Sequence, residues 1–146
     1  ISIVIVTWNC RDAVRRCLES LHRHPPSAEW EIIVVDNGST DGTPSEVLAA
    51  GMEHCHLIAN SSNRGLPAAN NQGLVASRGD LVLISNPDVL YLEGTIDRLA
   101  ATLERMPAAG IAVPLVLQLP ERTAQTSVGD HQLLGRQCSG GMGVAP

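Results

Sequence analysis

The stretch Leu81-Val82-Leu83-Ile84-Ser85-Asn86-Pro87-Asp88 decides how the rest of the chain reads. Its apolar run is that of a strand buried on both faces, the habit of parallel sheets. It stops abruptly. Pro87 has no N–H for a ladder and pushes Asn86 toward an extended backbone. Asn86 and Asp88 therefore project beyond the carboxyl end of the strand, where open α/β sheets bind ligands. Taken alone, Asn-Pro-Asp is also an ordinary turn.

Working outward, the chain repeats this pattern. Ile1 to Val6 is a β-branched apolar run that ends at Thr7-Trp8-Asn9. Glu31 to Val35 is a second run, leading into Asp36-Asn37-Gly38-Ser39-Thr40-Asp41-Gly42-Thr43. His54 to Ile58 and Ile111 to Val116 give a third and a fifth strand. Between them lie helical patterns. Asp12 to Leu21 has Ala13, Val14, Cys17, Leu18 and Leu21 on one face, with Asn9 or Asp12 as candidate caps. Pro44 to Ala50 opens with proline near its first position. Gly65 to Ser77 is rich in Ala and Asn, and Glu93 to Met106 is plainly amphipathic. This alternation predicts a doubly wound α/β fold with a mainly parallel sheet and helices on both faces. After Gln118 the period decays. Arg122 to Pro146 reads as an irregular tail in which Leu133-Leu134 is a short apolar anchor. The chain opens at Ile1, already inside a strand, and reads as a fragment of a longer polypeptide.

Composition narrows the function. The chain has 146 residues, 44% hydrophobic and 17% charged, as in a folded domain. A net charge of −5 argues against a nucleic-acid-binding face. Every basic residue is Arg. The absence of Lys removes the Walker A loop and Schiff-base chemistry. The four cysteines show neither a CxxC pair nor a metal-finger spacing, and reduced cytoplasmic thiols are the default. His54 and His56 share a strand face, but without a third ligand a solvated edge is the better reading. No apolar run has the length of a membrane span.

The candidate site gathers where strands one, two and four end. Thr7 and Asn9 follow the first. Asp36 and Asp41 follow the second, with carboxylates suited to base N–H groups or ribose hydroxyls. Asn86 and Asp88 follow the fourth, where Asp88 suits a divalent cation bridging phosphates. Arg64 and Asn70 lie in a polar segment that opens a helix, a place that favours anions. Together these groups suit a nucleoside diphosphate with its cation.

Four segments, in order and at matching spacing over residues 1–117, resemble glycosyltransferase family 2, the inverting enzymes of the GT-A fold. They are Ile3 to Asn9, Ile33 to Thr43, Asn63-Arg64-Gly65 with Ala69 to Gly73, and Asn86-Pro87-Asp88. The Asn-Pro-Asp form looks most like the rhamnosyltransferase-type branch. The resemblance implies that Thr7 and Asp36 contact the base, that Asn86 lies near the ribose, and that Asp88 holds Mn2+ or Mg2+. It implies Arg64 and Asn70 on the donor side, and one carboxylate fewer for the cation, since Asn86 replaces a commoner Asp. The implied partners are a nucleotide-diphosphate sugar and a carbohydrate or lipid-linked acceptor, in cell-surface polysaccharide or glycan synthesis. The implied location is cytoplasmic, with peripheral association of the parent protein at the inner membrane face open. Residues 1–117 form the expected donor-binding core, and 118–146 a tail or the start of an acceptor part. The catalytic base is unassigned. Glu121 and Asp130 are the acids beyond the match, and exposed loop carboxylates is their plainer reading. Two other functions compete. One is a nucleotide-sugar-binding module without turnover. The other is a sugar-1-phosphate nucleotidyltransferase, disfavoured because Trp8-Asn9-Cys10-Arg11 is not Gly-rich.

Overall fold

A computed structural model describes residues 1–117 and, as backbone, 133–136. The elements run β1 (Ser2–Thr7), α1 (Arg11–Arg23), β2 (Glu31–Asp36), α2 (Thr43–Ala49), β3 (Cys55–Ala59), α3 (Leu66–Ala76), β4 (Leu81–Ser85), α4 (Thr95–Arg105), β5 (Ile111–Ala112) and β6 (Leu133–Arg136). They build one sheet in the order β3-β2-β1-β4-β6-β5. The four expected strands from β1 to β4 are parallel to one another.

The continuous apolar runs of β1 and β2 follow from burial on both faces. Ile3, Ile5, Ile32 and Val34 pack with α1, α2 and α4 on one side. Val4, Val6, Ile33 and Val35 face α3 on the other. Each fully buried Ile or Leu is worth about 1.5–3 kcal/mol relative to exposure. α1 and α4 reach this core through apolar stripes: Val14, Cys17, Leu18 and Leu21 from α1, and Ile96, Leu99 and Leu103 from α4. α3 has almost no stripe and solves its packing by closeness instead. A Cβ built on Gly73 would stand 2.2 Å from Val4 Cγ1, so the helix backbone lies directly on β1.

Two expectations fail at the far edge. The fifth strand ends after two residues, not at Val116. The supposedly irregular tail contributes β6, antiparallel to β4 and to β5, at the place of the apolar anchor Leu133-Leu134. The sheet is therefore mixed. β6 lies between β4 and β5, so β5 pairs with a segment that follows it by about twenty residues, and nothing in the local pattern of 111–117 reveals that partner. Glu121 and Asp130 lie outside the described residues.

At the amino ends of the strands the chain is tied by a polar knot. Glu31, 7% exposed, accepts from Ser2 Oγ at 2.7 Å and from the Arg78 amide at 2.8 Å. The Arg78 guanidinium approaches its other oxygen at 2.8 and 3.0 Å. Burial disfavours the Glu31 charge, but the Ser2 hydroxyl and the Arg78 amide and guanidinium outweigh it and hold its pKa below the ordinary glutamate value.

Candidate donor site at the carboxyl ends of the strands

Parallel register brings the expected residues together. Thr7 pairs with Asp36, and Ser85 lies beside Ile5, so Asn86 leaves β4 at the level of Val6. Asp36 is 1% exposed and its carboxylate is already engaged. Oδ1 accepts from Thr7 Oγ1 at 2.9 Å and from Ser39 Oγ at 2.6 Å, and Oδ2 accepts from the Ser39 amide at 2.9 Å. A carboxylate has about four lone-pair positions, so capacity for one further donor remains.

Asn9 and Asp41 act within the loops. Asn9 adopts a positive φ of 47°, a conformation Asn tolerates better than most residues. Its amide donates to Ser39 Oγ, and its side-chain oxygen accepts from the Thr40 amide at 2.8 Å. Asp41 accepts from the Arg11 amide at 3.1 Å and from the amide and hydroxyl of Thr43. The Thr43 hydroxyl and the amides of Thr43 and Arg11 hold its pKa below the usual carboxylate value against the effect of burial. The first turn of α1 is thus stabilised by Asp41 from another loop, not by Asn9 or Asp12. Its N-cap is Cys10, without a side-chain cap bond, and the Cys10 amide donates to Thr43 Oγ1.

The segment after β4 is anchored from below. The Tyr91 hydroxyl, buried, donates to Ser85 Oγ at 2.6 Å, and the Tyr91 amide donates to Ser20 Oγ. Asp88 is exposed, and among the described residues no hydrogen bond or ion pair engages its side chain. The half-buried Cys10 thiol reports the local field: burial raises its pKa, the Trp8 backbone opposes, and the carboxylates of Asp41, Asp36 and Asp88 add to the rise. Burial and Asp88 likewise push the Cys17 thiol up to about 12. Three carboxylates therefore converge around the start of α1, and an anionic ligand placed there needs countercharge.

Among the described residues no group of three His, Cys, Asp or Glu side chains forms a metal cage, and His54 and His56 do not make one. The donor set at Asp88 is one free carboxylate. That fits Mg2+ or Mn2+ taking most of its ligands from phosphates and water. Asn70 is half-buried on α3, and Arg64 is exposed just before it. Sequence reasoning missed the loop-building roles of Asn37, Ser39, Thr43, Asn60 and Gln72. Only the Asp-Asn-Gly-Ser-Thr-Asp-Gly-Thr string hinted at the first three. A concavity of about 510 Å3 lies elsewhere, between α1 and α2, lined by Arg15, Leu18, Glu46 and Met52. Most of its lining charge is already paired: Arg15 with Glu19 across the cavity wall, and Glu46 with Arg11 outside it.

A mainly parallel sheet between helices, with carboxylates and amides crowded over the ends of its central strands, defines a Rossmann-like α/β protein of the GT-A type. Residues 2–133 match the family model described as glycosyl transferase family 2, and the chain belongs to that family. It is 33% identical over 113 residues to the succinoglycan biosynthesis protein ExoO of Rhizobium meliloti, covering 77% of this chain and 31% of that protein. It is 31% identical over 129 residues to an N-acetylglucosaminyl-diphospho-decaprenol L-rhamnosyltransferase of Mycobacterium tuberculosis, covering 78% and 40%. The chain thus spans well under half the length of these curated relatives. Among solved structures it is similar to the mannosyltransferase PcManGT of Pyrobaculum calidifontis in complex with GDP-Man and Mn2+. The TM-score is 0.70 at 28% identity, over 75% of this chain and 33% of that one. TarS 1–349 of S. aureus in complex with UDP-GlcNAc shares the fold, with a TM-score of 0.73 at 24% identity over 86% and 37%.

Proposed function

We propose that this chain carries the donor site of an inverting glycosyltransferase that moves a sugar from a nucleotide-diphosphate sugar to an acceptor hydroxyl. One observation carries the reading: Thr7, Asp36, Asn86 and Asp88 lie over three adjacent strand ends, with the Asp88 carboxylate free of partners among the described residues. Asp36, held by Thr7 and Ser39, takes a base N–H on its remaining acceptor position. Asn86 reaches the ribose. Asp88 would hold Mn2+ or Mg2+, which would supply positive charge to the diphosphate, and Arg64 and Asn70 flank the donor. The likeness to a mannosyltransferase that binds GDP-Man and Mn2+ supports both the donor class and the cation. When bound, the cation neutralises negative charge on the leaving diphosphate.

The reaction is a single displacement. The acceptor oxygen bonds to the anomeric carbon as the bond from that carbon to the diphosphate breaks, and the hydroxyl proton passes to a base. The Asn-Pro-Asp strand end and the rhamnosyltransferase relative favour a deoxyhexose donor and a lipid-linked acceptor in cell-surface glycan synthesis. In this reading the protein is cytoplasmic, with association at the inner membrane face left open. Separately, among the described residues no helix is long and apolar enough to cross a membrane. Calorimetric titration with uridine, thymidine and guanosine diphosphates, each with Mn2+ or Mg2+, tests the proposal. Saturable binding of one supports it, and a folded sample that binds none refutes it.

A further inference from the structure

Behind the strand ends lies a chain of side-chain amides that the reaction does not use. Asn37, 2% exposed, follows Asp36 directly, and its amide donates to Thr7 O at 2.8 Å. Its side-chain oxygen accepts from the Arg64 amide at 2.9 Å and from Asn60 Nδ2 at 3.2 Å, while its Nδ2 donates to Asn63 Oδ1 at 3.0 Å. Asn63 Oδ1 also takes the Gly65 amide at 2.8 Å. Asn60 and Gln72 exchange reciprocal amide bonds at 2.8 and 2.9 Å, which fastens the loop to α3.

The orientations are not free. A backbone N–H can only donate, so the Arg64 amide fixes which end of Asn37 is oxygen, and the Gly65 amide does the same for Asn63. The loop also passes over Gly38, whose φ is +81° and where an added Cβ would stand 2.7 Å from Ser62 Cα. This largely half-buried hydrogen bonding around an exposed loop ends at Arg64. Among the described residues its guanidinium has no hydrogen bond or ion pair, whereas Arg11, Arg15 and Arg78 are paired.

We propose that Asn37 is a positioning residue that, through Asn60, Asn63 and Gln72, holds the 60–65 loop so that Arg64 faces the donor's diphosphate. This rests on the donor-site reading above. The Arg64 amide is bonded to the residue that follows Asp36, and a guanidinium fixed there supplies part of the countercharge a diphosphate requires. Because Asn37 is buried beside Thr7 and Asp36, the loop that carries the Arg64 guanidinium and the strand ends that carry the base contact move as one body.

The loop is tested without any nucleotide by trypsin, which cuts after Arg64 only as fast as the loop opens. Asn37→Ala should raise cleavage after Arg64 by about tenfold and leave cleavage after Arg15 and Arg23 in α1 unchanged. The milder Gln72→Met should raise it less; this variant decides the matter if Asn37→Ala does not fold. Unchanged cleavage, or an equal rise at the α1 sites, overturns the positioning role. The diphosphate is tested by calorimetry with a nucleoside and its diphosphate on Arg64→Ala, Asn37→Ala and the double variant. Each single should weaken diphosphate binding about tenfold and spare the nucleoside, and the double should be no worse than Arg64→Ala. Losses that multiply, or that fall equally on the nucleoside, overturn the link to Arg64. A wild-type chain that binds no diphosphate refutes the donor site and that link with it, while the cleavage result still judges the loop.

Discussion

Replacing Asp36 with asparagine separates its structural work from its proposed ligand contact. The carboxylate accepts from Thr7 Oγ1, Ser39 Oγ and the Ser39 amide in a site that is 1% exposed. Alanine would leave those donors without a partner, at about 1–3 kcal/mol for each buried group. Asparagine need not. Its oxygen can take the Ser39 amide, which cannot reverse, while its NH2 faces the two hydroxyls, which can turn to accept. Asp36→Asn should therefore cost about 1 kcal/mol or less, a fall in Tm of about 2–4 °C for a chain of this size. The one acceptor position left open is on Oδ2, the atom that stays oxygen, so asparagine still meets a base N–H but without the charge. A hydrogen bond to a charged group is worth about 1.5–3 kcal/mol against about 0.5–1.5 kcal/mol for a neutral one, so nucleoside diphosphate affinity should fall by about 5- to 13-fold. Thermal unfolding and calorimetry on the same sample read both quantities. A folded variant with wild-type affinity would refute the ligand role and leave Asp36 as the residue that shapes its loop.

Other outcomes follow from the same geometry. Asp88→Asn should leave stability within about 0.5 kcal/mol, since no described group bonds to that side chain, yet abolish the difference between nucleotide titrations with Mn2+ and with chelator; equal wild-type binding under both conditions would remove the metal role. Gly73→Ala should lower unfolding free energy by about 1–3 kcal/mol in urea titrations, because the added methyl meets Val4 Cγ1, despite a helix-propensity gain of about 1 kcal/mol. The Glu31 pKa lies below its ordinary 4.5 when folded, so its contribution is present at neutral pH and is lost as pH falls below about 4.5 and through the depressed folded value. Urea titrations across that range should show less acid sensitivity in Glu31→Gln than in the wild type.

The parts of the fold legible in the sequence are those where one physical demand dominates. β1, β2 and β4 are buried on both faces, so Ile3 to Val6, Ile32 to Val35 and Leu81 to Ile84 announce themselves as unbroken apolar runs. α1 and α4 bury one stripe and show its period. β6 was illegible because Leu133-Leu134-Gly135-Arg136 has no pattern of its own; its strand character comes from the neighbours β4 and β5. In the site, Thr7, Asp36 and Asn86 could be placed by strand ends alone. The work of Asn9, Asp41 and Ser39 could not, since each bonds across about thirty residues of chain. A motif string shows which residues occur together, not that Asp41 would serve the first turn of α1.

The central claim is a location: donor binding over the carboxyl ends of β2, β1 and β4. Backbone amide spectra of the isotope-labelled chain, recorded as a nucleoside diphosphate and Mg2+ are added, measure that location directly. The account predicts shifts concentrated in Thr7 to Arg11, Asp36 to Thr43, Asn63 to Asn70 and Asn86 to Asp88. Shifts confined to the α1–α2 concavity around Leu18 and Met52, with those four segments still, would contradict it.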